Sequence, residues 1–148
     1  MAAPQSFVPP KVSASRSTRR FTLEQANRTL PLVKRIVADI VSTHERFTKA
    51  QDQVQNTSGR EQIDAQTELD RAMDRLHELV DELSEVGAEV KDYQIGLIDF
   101  VSRHQGRDIY LCWKLGEDTI THWHELRAGF AGRQPVSMLD VESKGSGR

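Results

Sequence analysis

The chain has 148 residues, of which 37% are hydrophobic and 28% are charged, so one domain with a modest core is expected. The formal net charge of −2 argues against a protein that binds nucleic acid by broad neutralisation of phosphates. The single cysteine excludes an internal disulfide, and no apolar run approaches the ~20 residues of a membrane span, so a cytoplasmic protein without a membrane partner is predicted.

The first 20 residues, MAAPQSFVPPKVSASRSTRR, form a basic segment without acids. Its charged residues are Lys11, Arg16, Arg19 and Arg20. Ordering this Pro-, Ser- and Ala-rich segment would cost conformational entropy that little apolar burial offsets. We therefore predict a disordered basic tail over 1–20, and favour it over a transit peptide. One α+β domain is predicted over 21–140, followed by a disordered tail over 141–148.

Helix signals begin directly after the basic segment. Thr22 and Gln25 have the spacing of a capping box. Pro31 fits the first turn of a longer helix, so a short helix or a kink is expected before it. Apolar side chains then recur at spacings of three and four over 31–54, which predicts an amphipathic helix. The run NTSG at 56–59 is expected to end it.

A second helix is predicted from about residue 61 to residue 86. Its apolar stripe consists of Leu69, Met73, Leu76, Leu79, Val80, Leu83 and Val86. Gly87 stands where a left-handed C-terminal cap is expected. Because the linker between the two helices is short, they are expected to pack as a long antiparallel hairpin over 21–87.

Beyond Gly87 the pattern changes to that of strands. The runs VKDYQIGLIDFVS and RDIYLCWKL are rich in β-branched and aromatic residues, with the turn signal RHQG between them. The run ITHWHEL predicts a third strand, with a helix over 119–127 as the alternative. A three-stranded antiparallel meander over 88–127 and a loop over 128–140 follow. The predicted fold class is α+β, with the long antiparallel helical hairpin packed on this small three-stranded antiparallel sheet.

Alternation along the strands separates a polar face of the predicted sheet from an apolar face. The expected turns place Asp99 opposite Tyr110, and Tyr110 opposite His124. The next row on the polar face consists of Leu97, Cys112 and His122. The apolar face, which should lie on the helical hairpin, carries Ile98, Phe100, Ile109, Leu111, Trp113 and Trp123.

The polar face suggests a metal site. His122 and His124 would project in the same direction from one strand, and with Asp99 they could bind a divalent, zinc-like metal, with Cys112 beside them. The structural alternative, which is favoured, is that Asp99 accepts a hydrogen bond from Tyr110 or His124 and only orients the sheet. Packing of a buried thiol is likewise favoured over a nucleophilic dyad of Cys112 and His122. No other cofactor motif occurs.

Charged side chains give a second set of candidates. In the predicted register Glu125 shares the apolar face and needs a partner, which Arg133 could provide. An ion pair that anchors the loop is favoured over anion binding at Arg107 and Arg133. The binding candidates are Asp99, Tyr110, His124, Glu125, Arg107 and Arg133, and the predicted metal ligands are His122, His124 and Asp99.

Five runs of the sequence, FTLEQANRTLPLV, VKDYQIGLIDF, YLCWKLGE, WHEL and GFAGRQP, resemble the domain of unknown function 2203 family of small prokaryotic proteins. The resemblance covers residues 21 to about 136. It implies a prokaryotic cytosolic protein but no particular activity. The family pattern emphasises Trp123-His124-Glu125 and Asp99 more than His122, which leaves Asp99, His124 and Glu125 as the polar set of interest.

The favoured function is a self-associating interaction module, because the helical hairpin has more apolar surface than one small sheet covers. A homodimer is expected, without nucleic acid, and the protein or small-ligand partner is not identified by the sequence. The alternative is a metal-dependent, hydrolase-like enzyme that uses Asp99, His122 and His124. The metal would lower the pKa of a bound water and polarise a substrate oxygen. The sequence leaves open whether the protein is an enzyme.

Overall fold

The computed structural model describes residues 19–139. Residues 1–18 of the predicted basic tail, and the predicted C-terminal tail, lie outside the described residues. The elements are α1 (Leu23–Asn56), α2 (Gly59–Val86), β1 (Ala88–Asp92), β2 (Leu97–His104), β3 (Arg107–Lys114), β4 (His122–Glu125) and β5 (Gln134–Pro135). Short 3-10 helices are formed by Phe130–Gly132 and Val136–Leu139. No helix among the described residues is long and apolar enough to cross a membrane.

Helix α1 begins at the predicted capping box. The Gln25 backbone N–H donates to Thr22 Oγ1 over 3.1 Å, and the Thr22 N–H donates to Gln25 Oε1 over 3.0 Å. The helix then continues through Pro31, so the prediction of a separate short helix before it is wrong. A proline inside a helix removes one backbone hydrogen bond. Burial of Leu30 and Val33 on either side keeps both segments on one apolar stripe.

The two helices form the predicted hairpin. Helix α1 ends at Asn56 and α2 begins at Gly59, so the connection is short and the helices pack side by side in opposite directions. Gly87 ends α2 with a φ of 115°, and its N–H donates to the Leu83 carbonyl over 3.1 Å. The predicted left-handed cap is therefore confirmed. A Cβ at this position would also lie 2.6 Å from the Phe21 ring.

The antiparallel sheet has five strands in the order β1-β2-β3-β4-β5, so the prediction of three strands is wrong. The run VKDYQIGLIDFVS contains a turn over 93–96, which divides it into β1 and β2. Gly96 closes this turn with a φ of 73°. In the predicted loop over 128–140, the short strand β5 pairs with β4. The segment around β4 is a strand as predicted, which excludes the helix alternative.

The predicted pairing of β3 with β4 is confirmed, but the predicted pairing of β2 with β3 is wrong. Tyr110 lies opposite His124 as predicted, but Asp99 lies opposite Cys112 rather than Tyr110. The cause is a tighter turn between β2 and β3. Only Gln105 and Gly106 connect these strands, and both have positive φ values, of 51° and 78°, as a type I′ turn requires. The resulting shift by two residues leaves every side chain on its predicted face.

The apolar face of the sheet packs on the helical hairpin as predicted. Its buried members are Ile98, Phe100, Ile109, Leu111, Trp113 and Trp123. Polar contacts fix the first half of α1 over the sheet. The Ile120 N–H donates to Asn27 Oδ1 over 2.9 Å, and Lys34 Nζ donates to the Asp118 carbonyl over 2.9 Å. The sheet is thereby held with its other face pointing away from the hairpin.

The last residues of the predicted basic tail contact the domain. Arg20 forms a two-point contact with Asp108, at 2.7 and 3.0 Å, and Arg19 donates to the Val86 carbonyl over 3.3 Å. The homodimer stays a prediction, because one chain is described. The cytoplasmic location also stays a prediction.

Gly96 provides a test of the turn between β1 and β2, which was not predicted from the sequence. A Cβ at this position would lie 2.8 Å from Leu115 Cβ and 2.9 Å from Val37 Cγ1, in addition to the strain of a positive φ. We expect Gly96→Ala to lower the free energy of unfolding by about 2–4 kcal/mol, as measured by urea denaturation. Gly106→Ala is the matched control, since its φ is also positive but no atom lies within 4 Å of its Cβ position. Equal losses in the two variants would contradict this packing.

Candidate functional site

Three potential metal ligands converge on the polar face of the sheet. Asp99, Cys112 and His124 come from β2, β3 and β4, and their exposed fractions are 2%, 0% and 4%. One ligand atom from each residue lies within 4.8 Å of the other two. No further histidine, cysteine or acid in residues 19–139 joins this group, which we call the Asp-Cys-His cluster. The cross-strand pairing of Asp99 with Cys112 produces it.

The orientation of the His124 ring is fixed at both nitrogens. Its Nδ1 lies 2.8 Å from the Glu125 carbonyl oxygen, and its Nε2 lies 3.1 Å from each carboxylate oxygen of Asp99. A carbonyl oxygen can only accept, so Nδ1 carries a proton and donates it. An imidazole that donates one N–H to a backbone carbonyl and directs its other nitrogen at a second ligand group is typical of metal-binding histidines.

The contact between Asp99 and His124 requires a shared proton when no metal is bound. With Nδ1 protonated, a bare Nε2 lone pair would repel a carboxylate at 3.1 Å. One proton therefore lies between them, on the imidazole or on the carboxyl group, and the pair is neutral overall. Burial raises the pKa of Asp99, while His124 and Lys91 act in the opposite direction. Removing either partner would leave a costly buried polar group.

Cys112 is a protonated thiol in this environment. Burial and the neighbouring Asp99 carboxylate raise the pKa of Cys112 to about 12, and the thiol donates a hydrogen bond to Asp99. The nitrogens of His124 face Asp99 and Glu125, so neither is placed to take the thiol proton. This geometry agrees with a buried thiol and opposes a nucleophilic cysteine. A bound metal would be needed to stabilise the thiolate.

A rim of partly exposed side chains surrounds the Asp-Cys-His cluster. The Tyr110 ring lies 5.3 Å from the His124 ring, and Lys91 Nζ lies 4.8 Å from the centre of the Tyr110 ring. His122 lies opposite Cys112 on the same face, with its Nδ1 2.8 Å from Thr121 Oγ1. These side chains border the cluster and are less buried than its three members.

The structure brings together Asp99, Tyr110 and His124 from the predicted site residues. Cys112 completes the cluster in the place that the prediction gave to His122. The error in register concealed this, because the predicted pairing moved Asp99 one row away from Cys112. His122 remains on the same face of the sheet, and its role as a metal ligand stays a prediction.

The predicted ion pair between Arg133 and Glu125 is wrong. Glu125 instead pairs with Arg107, whose Nε lies 2.9 Å from Glu125 Oε1, because these residues are diagonal neighbours on adjacent strands. Arg133 Nη2 lies 3.1 Å from both carboxylate oxygens of Glu117. Burial raises the pKa of Cys112, and the positive charge of Arg133 partly opposes this rise. Arg133 therefore belongs to the rim of the cluster, whereas Arg107 pairs on the apolar side.

A substitution of His124 tests the buried contact. His124→Ala would leave the buried Asp99 carboxyl group without its main partner, so we expect a loss of about 3–5 kcal/mol in the free energy of unfolding. His122→Ala is the matched control on the same strand, since its ring is half-buried and bonds to the Thr121 hydroxyl. We expect the control to lose about 1 kcal/mol or less. Similar losses in both variants, measured by denaturant titration, would argue against the buried contact.

Comparison with known proteins identifies the family. The family model described as "Uncharacterized conserved protein (DUF2203)" matches residues 19–136, a range that contains both helices, all five strands and the whole cluster. No curated protein and no solved structure matches the chain. The resemblance seen in the sequence is thereby confirmed, and the chain belongs to the DUF2203 family.

Proposed function

We propose that the protein binds a divalent transition metal of the zinc class through Asp99, Cys112 and His124. The observation that supports this proposal is the convergence of a carboxylate oxygen, a sulfur and an imidazole nitrogen within 4.8 Å in a buried setting. Ligand atoms of a tetrahedral zinc ion lie about 3.5 Å apart, given bond lengths of about 2.0–2.3 Å. Shifts of about 1 Å in side-chain position would bring the three atoms to this spacing.

The chemistry of the ligands favours a borderline or soft cation. Thiolate and imidazole ligands suit zinc, cobalt and similar ions, whereas magnesium and calcium prefer shells of six or more oxygens. The cluster offers a single carboxyl group, Asp99, as its oxygen ligand. The Nδ1–H of His124 already donates to the Glu125 carbonyl, so Nε2 is the nitrogen available to a metal. This contact would hold the ring in place during binding.

Charge balance also supports the proposal. A divalent ion bound by the Asp99 carboxylate, the Cys112 thiolate and a neutral His124 gives a net charge of zero. The two cations at the rim would oppose a metal ion, but each has a carboxylate partner. Lys91 Nζ lies 3.1 Å from Glu89, and Arg133 pairs with Glu117. The buried metal complex would therefore carry no uncompensated charge.

The competing interpretation is that the three residues only tie the central strands together. In that case the shared proton and the thiol hydrogen bond complete the network, and added metal has no effect. The interaction module and the hydrolase-like enzyme expected from the sequence stay predictions. The metal-binding role needs only the convergence of Asp99, Cys112 and His124, whereas the enzyme would also require His122 as a ligand.

Metal content is the first test. Protein purified without chelator, or titrated with zinc after chelator treatment, is expected to hold about one metal per chain, as three converging ligands require. Zinc should also raise the melting temperature, because it binds the folded state. Cys112→Ala should lose both effects, and His122→Ala should keep them. Metal well below one per chain, without uptake or stabilisation on titration, would rule out the proposal.

The pH dependence of binding is a second test. Metal binding must remove the proton of Cys112, whose pKa is raised to about 12. Protons compete with the metal at every pH below this value, so affinity should rise with pH. The expected increase is about tenfold per pH unit for each proton released. Competition with a chelating dye between about pH 6 and pH 8 measures this slope. An affinity independent of pH would show that the thiol is not a ligand.

A further inference from the structure

We infer that this metal site has a fourth position that takes a small anionic oxygen ligand, held by the Nε–H of Arg133. The ligand class is a carboxylate or an inorganic oxyanion. The inference rests on the proposed metal binding and adds the kind of molecule that the site would hold. Two separate observations lead to it, one from the ligand count and one from Arg133.

The ligand count leaves a position open. The Asp-Cys-His cluster has three members, and no other histidine, cysteine or acid of the described chain joins it. A zinc-class ion prefers four ligands, and sites with three protein ligands use the fourth position for water or an exogenous molecule. The rim above the cluster consists of partly exposed side chains. A small ligand could reach the metal by passing between these side chains.

Arg133 provides an unused donor at this rim. Its Nε is buried and has no hydrogen-bond partner. The rest of the guanidinium group is held in place, because Nη2 contacts Glu117 and the group lies 4.9 Å from the centre of the Phe130 ring. A buried donor without a partner is unfavourable, so an acceptor is expected beside it. Turning the group to reach water would break the contacts with Glu117 and Phe130.

The position of Arg133 connects this donor to the cluster. Strand β5 pairs with β4 through Gln134 and Trp123. Arg133 directly precedes this strand, and an extension of that register by one residue would bring it level with His124, on the polar face of the sheet. Burial raises the pKa of Cys112, and the charge of Arg133 acts against this rise, as expected for a residue near the cluster. Of the buried unpartnered side-chain atoms in residues 19–139, the other two belong to His104 and Trp123 on the apolar face.

An anionic oxygen satisfies both requirements at once. It can coordinate a metal and accept a hydrogen bond from a guanidinium N–H, which is strengthened by charge. A neutral amine ligand has no lone pair left for Arg133 once it has coordinated the metal. Water is the competing occupant, and the experiment distinguishes it.

The test uses cobalt-loaded full-length protein and visible absorption. Acetate, bicarbonate and phosphate are titrated separately at constant ionic strength, set with a poorly coordinating salt. We expect at least one anion to change the cobalt ligand-field bands saturably, while the sulfur-to-cobalt charge-transfer band persists. The three anions distinguish carboxylate from inorganic oxyanion ligands. Arg133→Lys keeps a positive charge next to Glu117 but lacks the Nε–H, so it should weaken anion binding by about tenfold or more.

Matched variants make the outcome decisive. Arg107→Lys is the control, since Arg107 also pairs with a carboxylate but lies on the apolar side, and its anion affinity should equal that of the wild type. Arg133→Gln replaces Arg133→Lys if the melting profile shows that the latter is unfolded. Cobalt bound at one per chain with no anion response, or with equal affinity in the Arg133 variant, overturns this inference and leaves metal binding intact. Failure to bind cobalt overturns both.

Discussion

The buried contact between Asp99 and His124 is the constraint on which the polar side of this protein depends. It joins two strands that are separated by β3, and both side chains are almost completely buried. The contact exists only if β2, β3 and β4 all direct their apolar side chains towards the helical hairpin, because alternate side chains then lie on the other face. Because His124 already donates one proton to the Glu125 carbonyl, its other nitrogen must share a proton with Asp99 or bind a cation. Packing on one face of the sheet thereby determines the chemistry on the other.

Cys112 shows how this chemistry depends on burial. A cysteine thiol in water has a pKa of about 8.5. Burial and the neighbouring Asp99 raise the pKa of Cys112 to about 12. A nucleophilic role is therefore disfavoured, while a metal ion could still displace the proton because a thiolate bond stabilises the charge directly. Cys112, whose sequence context favours simple packing of a buried thiol, is thus a member of the cluster.

The faces of the sheet were predictable from the sequence, but the register was not. Apolar residues alternate strictly enough to assign each side chain to a face, and a shift by two residues leaves that pattern unchanged. The deciding feature is the short turn at Gln105 and Gly106, where the signal RHQG fits more than one turn length. The prediction therefore brought Asp99 near His124 correctly, yet placed Tyr110 opposite Asp99 instead of Cys112.

The turn over 93–96 and strand β5 could not be predicted from the sequence, for physical reasons. The turn over 93–96 contains one glycine inside an otherwise strand-like run, so β1 and β2 read as a single strand. Strand β5 has two residues, one of them Pro135, which is suited to a sheet edge but is a weak signal of a strand. The ion-pair partners of Arg133 and Glu125 depend on the course of the chain around β5. Long charged side chains can reach several possible partners, so the sequence alone does not determine the pairs.

Membership of the DUF2203 family covers residues 19–136 and thus the complete cluster together with Arg133. It supports treating the helical hairpin, the sheet and the edge strand as one unit. A fold does not determine an activity, so the function has to be argued from the site itself. In this protein the site offers three ligand atoms, one fixed imidazole and one buried donor.

Nitrogen-15 NMR of the His124 imidazole tests the central claim most directly, because it reports the proton on each ring nitrogen before and after zinc is added. The account predicts that Nδ1 keeps its proton throughout, and that Nε2 exchanges its contact with Asp99 for a bond to the metal, with a corresponding change in its chemical shift. An unprotonated Nδ1, or an Nε2 resonance that zinc leaves unchanged, would contradict the account.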